Sequence, residues 1–110
     1  MQKLQPLPLK EAKITGSFWQ SFMEKARTQV IPYQWEALND RIPGAEPSYC
    51  MKNFRIAAGK EEGEFGGFVF QDSDGAKWLE AVAYSLMWHP DKALEKIADG
   101  AIDEIVAATS

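Results

Sequence analysis

Residues 78–106, WLEAVAYSLMWHPDKALEKIADGAIDEIV, decide the fold class. Trp78, Leu79, Val82, Ala83 and Leu86 recur at helical spacing, and Ala81, Tyr84 and Met87 leave the rest of that surface poor in charge. A largely buried helix is expected there. His89 and Pro90 end it, and Pro90 suits the first turn of a following helix, where its missing N–H would have had no partner. Leu94, Ile97, Ala98, Ala101, Ile102, Ile105 and Val106 then keep the helical period, with lysines and acids on the opposite face. The two segments read as an antiparallel helical hairpin, one helix buried and the other half exposed.

Upstream, GSFWQSFMEKARTQV (16–30) places Phe18, Trp19, Phe22, Met23, Ala26 and Val30 about one and two turns apart, an amphipathic helix with Ser17 as its expected N-cap. Pro32 lacks the donor that would continue the ladder, so residues 31–40, IPYQWEALND, are expected to follow a kink or form a second short helix. Residues 1–13, with Pro6 and Pro8, read as an extended arm whose Leu4, Leu7 and Leu9 suit packing on a neighbour. Residues 41–52 have no period and read as a surface loop. A short helical piece opened by Asn53 and closed by Gly59 follows. Next comes a glycine-rich stretch, KEEGEFGGFVFQD (60–72), expected to be a strand pair or an ordered loop. Its Phe65, Phe68 and Phe70 are apolar enough that packing against something is expected. The chain has no evident internal repeat or low-complexity tract.

A length of 110 residues fits one domain, and 45% hydrophobic with 25% charged residues is ordinary globular composition. A net charge of -4 with scattered basic residues argues against a nucleic-acid partner, since phosphate neutralisation needs a concentrated basic surface. No apolar run approaches the roughly 20 residues of a membrane span, and the prolines interrupt any signal-peptide core, so a cytoplasmic chain without a membrane partner is expected. The single Cys50 excludes an internal disulfide, agrees with a reducing compartment and makes no zinc site without ligands from elsewhere.

Asp72 and Asp74 flank Ser73 where the glycine-rich stretch meets the buried helix. Two acids at this spacing suit polar ligand contact, but Asp and Ser also lead the N-cap ranking, and capping by Asp72 or Ser73 accounts for the pattern without a ligand. Cys50 and His89 lack the partners that nucleophilic catalysis requires, and Cys50 reads as a small core residue. Tyr33, Trp35, Trp78, Tyr84 and Trp88 offer aromatic platforms, with Trp78 placed on the buried face and Tyr33 and Trp35 beside the proline break. No phosphate loop, dinucleotide fingerprint, paired-cysteine or zinc-protease motif occurs.

Three ordered stretches carry more: residues 31–40, IPYQWEALND; residues 53–74, NFRIAAGKEEGEFGGFVFQDSD; and residues 77–91, KWLEAVAYSLMWHPD. Together they resemble the opening of the β-L-arabinofuranosidase family, glycoside hydrolase family 127, over roughly Ile14 to the end. The resemblance implies an all-α fold in which residues 14–110 are the N-terminal part of an (α/α)6 barrel. Here that part consists of the hairpin, the N-terminal helices and the glycine-rich loop, with the helix after Asp74 in the inner ring and the one after Pro90 in the outer ring. It also implies a retaining mechanism with a cysteine thiolate held in a zinc site of three cysteines and a glutamate, and a second glutamate as acid/base.

Those residues belong to later parts of such proteins. No catalytic residue and no cofactor are therefore assigned to this chain, zinc is expected only in a full-length member, and activity from the chain alone is not expected. Loops entering inner helices line the pocket of such a barrel, so Phe70, Gln71, Asp72 and Asp74 are the first choice for contact with a furanose. Asn53 and Arg55 come second, and Arg55 suits a structural carboxylate pair equally. Implied partners are the remainder of the barrel or a second copy through exposed helical faces, and an arabinofuranose-containing glycan for a full-length protein. The alternatives are a stand-alone helical protein-interaction module and a non-catalytic sugar-binding module. Gly75-Ala76 departs from a bulkier family pair, with a helix cost of about 1 kcal/mol for the glycine.

Overall fold

Helices account for all the regular structure in a computed structural model that describes residues 4–8, 11–68 and 71–109. In chain order they are α1 (Ser17–Lys25), a π-helical stretch (Ala26–Val30), α2 (Ile31–Leu38), α3 (Cys50–Ala57), α4 (Asp72–Trp88) and α5 (Lys92–Thr109). Among the described residues there is no strand, so the glycine-rich stretch is an ordered loop.

The proline break takes a different form from the expected kink or separate helix. The chain stays helical from Ser17 to Leu38, and Pro32 sits in the first turn of α2. Proline in a continuous α-helix loses one hydrogen bond and crowds the carbonyl four residues back. The π-helical stretch immediately before it widens the ladder where that carbonyl lies. Gly16, in extended conformation, is the N-cap of α1, and no side chain caps it, so Ser17 is the first helical residue instead of the cap.

The core is built from Ile31 and Leu38 of α2, Cys50 and Met51 of α3, Trp78 and Val82 of α4, and Leu94, Ala98 and Ala101 of α5. Trp78 is its centre. Its indole N–H donates to the Ile31 carbonyl at 3.0 Å, and its ring stacks on Trp35 with centroids 4.6 Å apart. Helix α5 rests mainly on α3 and touches α4 less extensively, while α4 packs on both α2 and α3. The periodic apolar residues after Pro90 thus find their principal partner in α3 as well as the expected hairpin partner α4. Asp91 caps α5, its Oδ1 accepting from the N–H groups of Ala93 (3.0 Å) and Leu94 (3.1 Å).

Three expectations change. Helix α3 begins at Cys50, three residues before Asn53, so Cys50 and Met51 are its most buried residues and leave the loop assigned to 41–52. Its far end is as expected. Gly59, at φ 75°, donates to the Ile56 carbonyl and Lys60 to the Arg55 carbonyl, the two bonds of a Schellman stop. Helix α4 is buried along one stripe only, since Ala83, Tyr84 and Met87 are exposed within this chain. Phe65 and Phe68, expected to be packed, are 67% and 69% exposed, and Phe70 lies outside the described residues.

Residues 4–8 of the N-terminal arm are exposed and without regular structure, while Leu9 lies outside the described residues. The arm is tied down just before α1: the Trp88 indole N–H donates to the Ala12 carbonyl at 2.8 Å, and the Gln20 amide donates to the Ile14 carbonyl at 3.1 Å.

Candidate functional site

Asp40 and Tyr49, both non-glycine residues in the left-handed region (φ 58° and 61°), bracket the loop between α2 and α3. Asp tolerates that conformation because its short side chain bonds locally. Here the Asp40 carboxylate accepts from the backbone N–H groups of Ser48 and Tyr49, closing the loop. An aromatic residue at φ 61° is strained, and Tyr49 is held there by what its ring touches. A Cβ on Gly66 would lie 2.5 Å from the Tyr49 ring, so only glycine lets the glycine-rich loop pass across that face.

The same loop is held from two further sides. Asn53 makes a reciprocal pair with Gly66, donating Nδ2 to the carbonyl at 2.9 Å and accepting the Gly66 N–H on Oδ1 at 3.1 Å. Gln71 accepts the Phe68 N–H on Oε1 at 2.8 Å, and the same oxygen fills the space a side chain on Gly67 (φ 75°) would need. Gln71, a first choice for sugar contact, and Asn53, a second, therefore meet around Gly66, Gly67 and Phe68.

The remaining expected site residues divide. Gln71, not Asp72 or Ser73, occupies the N-cap position of α4, and no side chain caps this end, so the capping reading does not hold. Asp72 and Asp74 instead lie in the first turn, where a carboxylate gains from the helix dipole. Asp72 is exposed. Asp74 faces a cleft of about 490 Å³ between α2 and α4, with Gln34, Ser48 and Lys77 as its other polar groups and Leu38, Trp78 and Ala81 as its apolar floor. An apolar floor with a few convergent polar groups is the composition that small polar ligands use. Arg55 is engaged elsewhere. It donates to Glu61 Oε2 at 3.1 Å and to Asn39 Oδ1 at 3.1 Å, and lies 3.7 Å from Glu104 Oε2, joining the ends of α2, α3 and α5. Tyr33 is exposed, and Trp35 is committed to Trp78.

Cys50 is fully buried, and burial pushes its thiol up to about 11; the Gly75 N–H opposes the shift, and the nearby charges of Asp72, Asp74 and Asp40 add to it. A thiol buried and held protonated in this way is a poor nucleophile at neutral pH. Among the described residues no three His, Cys, Asp or Glu side chains gather to hold a metal ion. The described residues therefore do not gather the ligand set of three cysteines and a glutamate that the family resemblance implies, which it places in later parts of such proteins. No described helix is long and apolar enough to cross a membrane.

Sequence reasoning missed Tyr49, Asp40, Gln34, Ser48 and Lys77. The Gly66-Gly67 pair was the available signal for Tyr49, because adjacent glycines mark a close approach of some neighbour.

The family model describing the β-L-arabinofuranosidase GH127 catalytic domain matches residues 11–109. A non-reducing end β-L-arabinofuranosidase of Bifidobacterium longum subsp. longum is 40% identical over 107 residues, covering 86% of this chain and 16% of that protein. The crystal structure of a GH127 β-L-arabinofuranosidase from Geobacillus stearothermophilus T6 superposes with a TM-score of 0.85 at 58% identity, covering 87% of this chain and 15% of that one. The chain thus spans about one sixth of the length of these relatives. Its helices are part of an (α/α)6 barrel, and the chain belongs to the GH127 β-L-arabinofuranosidase catalytic-domain family.

Proposed function

We propose that residues 14–110 supply the opening helices of the catalytic domain of a zinc-dependent retaining glycoside hydrolase acting on β-L-arabinofuranosides, and are inactive alone. The carrying observation is the match to the GH127 structure at 58% identity and a TM-score of 0.85. The two relatives are both β-L-arabinofuranosidases. Within that domain Gln71, Asp72 and Asp74 face the furanose: Gln71 and the acids offer hydrogen bonds to hydroxyls, and Trp78 floors the cleft beside Asp74. Arg55 holds the helices that carry them, through Asn39, Glu61 and Glu104. The nucleophile comes from outside this chain, since its one cysteine, Cys50, is buried in the core with its thiol held protonated; the family resemblance places the zinc ligands and the acid/base there too.

A graft tests this. Residues 11–109 replace their counterpart in the Geobacillus enzyme, and hydrolysis of p-nitrophenyl β-L-arabinofuranoside is measured for the graft and for the chain alone. An active graft and an inactive chain are expected; a correctly folded but inactive graft refutes the reading.

One observation favours a protein-interaction module. Phe18, Trp19 and Phe22 of α1 are 63%, 60% and 55% exposed, with Phe18 packed edge-on against the other two instead of against the core. In the barrel reading this cluster meets the remaining helices of the same domain. A stable, monodisperse dimer of the chain, together with an inactive graft, would favour the module.

A further inference from the structure

Asn53 was expected to touch the sugar, yet both ends of its amide are committed to Gly66, by bonds of 2.9 and 3.1 Å. The next residue, Gly67, passes beneath the Gln71 side chain, and the N–H after that, from Phe68, is bonded to Gln71 Oε1 at 2.8 Å. Three consecutive backbone units are thus held between Asn53 on α3 and Gln71 at the start of α4. The Tyr49 ring closes the third side, against Gly66. With its carbonyl oxygen bonded to Phe68, what Gln71 offers a ligand is the Nε2 donor, in one orientation.

Resting on the functional reading above, we propose that Asn53 is a positioning residue: by fixing Gly66 it sets the backbone that orients Gln71, and Gln71 presents its Nε2 donor to a hydroxyl or ring oxygen of the furanose. Asn53 itself makes no sugar contact. The physical basis is preorganisation: a donor already locked in its productive direction loses little freedom when the ligand arrives.

The experiment uses the grafted Geobacillus enzyme with p-nitrophenyl β-L-arabinofuranoside. Asn53→Ala should raise KM about tenfold, the scale of one hydrogen bond to a substrate, with kcat changed less than about twofold. Asn53→Asp, which keeps the acceptor for the Gly66 N–H and loses the donor, should fall between. Gln71→Glu keeps an oxygen for Phe68 and removes the Nε2 donor, and should raise KM to a similar extent. If Asn53 acts through Gln71, the double variant Asn53→Ala/Gln71→Glu is no worse than the worse single variant.

Additive effects would overturn the proposal while leaving the functional reading intact, whereas an inactive unmutated graft would overturn that reading and the sugar contact with it. Hydrogen exchange at the Gly66 amide supplies a readout independent of activity. Protection lost in Asn53→Ala with α3 and α4 still protected supports the positioning role, and unchanged protection refutes it.

Discussion

Cys50 Sγ lies 3.2 Å from the point a Cβ on Gly75 would occupy, with Phe54 Cε2 at 3.6 Å. Helices α3 and α4 approach one another through this pair, and Gly75, unfavourable for a helix in isolation, is what allows it. Two effects compete in Gly75→Ala: a helix-propensity gain of about 1 kcal/mol and an overpacking cost of about 1–3 kcal/mol against a fully buried thiol that would have to shift by a few tenths of an ångström. The cost wins, and Gly75→Ala is expected to lower stability by about 1 kcal/mol in urea unfolding. In a Cys50→Ala background the same substitution should become neutral or stabilising.

Alkaline pH should weaken the fold through Cys50. Its thiol rises from an ordinary value of 9.0 to about 11 on folding, chiefly by burial. Below pH 9 both states keep the proton and the contribution is whole; as pH rises toward 11 the unfolded chain releases it first and stability falls. The loss is on the order of 2 kcal/mol. Urea midpoints between pH 8 and pH 11 should fall more steeply for the parent than for Cys50→Ala. Thiol reagents at pH 8 should react only as fast as the protein opens.

Arg55→Ala should cost about 2 kcal/mol, because it removes the guanidinium 3.7 Å from Glu104 Oε2, a buried oxygen with no hydrogen-bond partner among the described residues. Glu104→Gln in the Arg55→Ala background should recover part of the loss. Equal stability of Arg55→Ala and the parent in thermal unfolding would contradict the arrangement.

Trp19→Ser with Phe22→Ser should leave unfolding within about 0.5 kcal/mol of the parent, since α1 buries no residue in this chain. The same pair should reduce concentration-dependent association in sedimentation velocity, as expected when an exposed aromatic cluster is the sticky surface.

The helices at Trp78 and Leu94 were legible because their apolar residues repeat with the helical period, and the Gly59 stop because a left-handed helix end calls for glycine. The start of α3 was not. Tyr49 and Cys50 give no capping signal, and helix begins there because Asp40, nine residues earlier, accepts the Tyr49 N–H. The buried stripe of α4 was overread, as apolar composition around a helix says how much of it can be buried and not by which neighbour. At the candidate site the family resemblance named Asn53 and Gln71 for sugar contact, and nothing in the sequence showed their joint hold on Gly66–Phe68. That relationship depends on a loop whose path is set by glycines, which have no side chain to show which neighbour they approach. Asp72 was read as a cap because Asp suits that position, yet Gln71 takes it while its side chain turns back to Phe68.

The bond from Trp88 to the Ala12 carbonyl spans 76 positions of sequence. During synthesis residues 11–16 leave the ribosome long before the indole that anchors them exists. Local helices such as α1 form without waiting, but this contact closes a long loop and forms only when α4 is complete. The stretch before α1 is thus made well before α4 and fastened only after it, and it stays untethered in between.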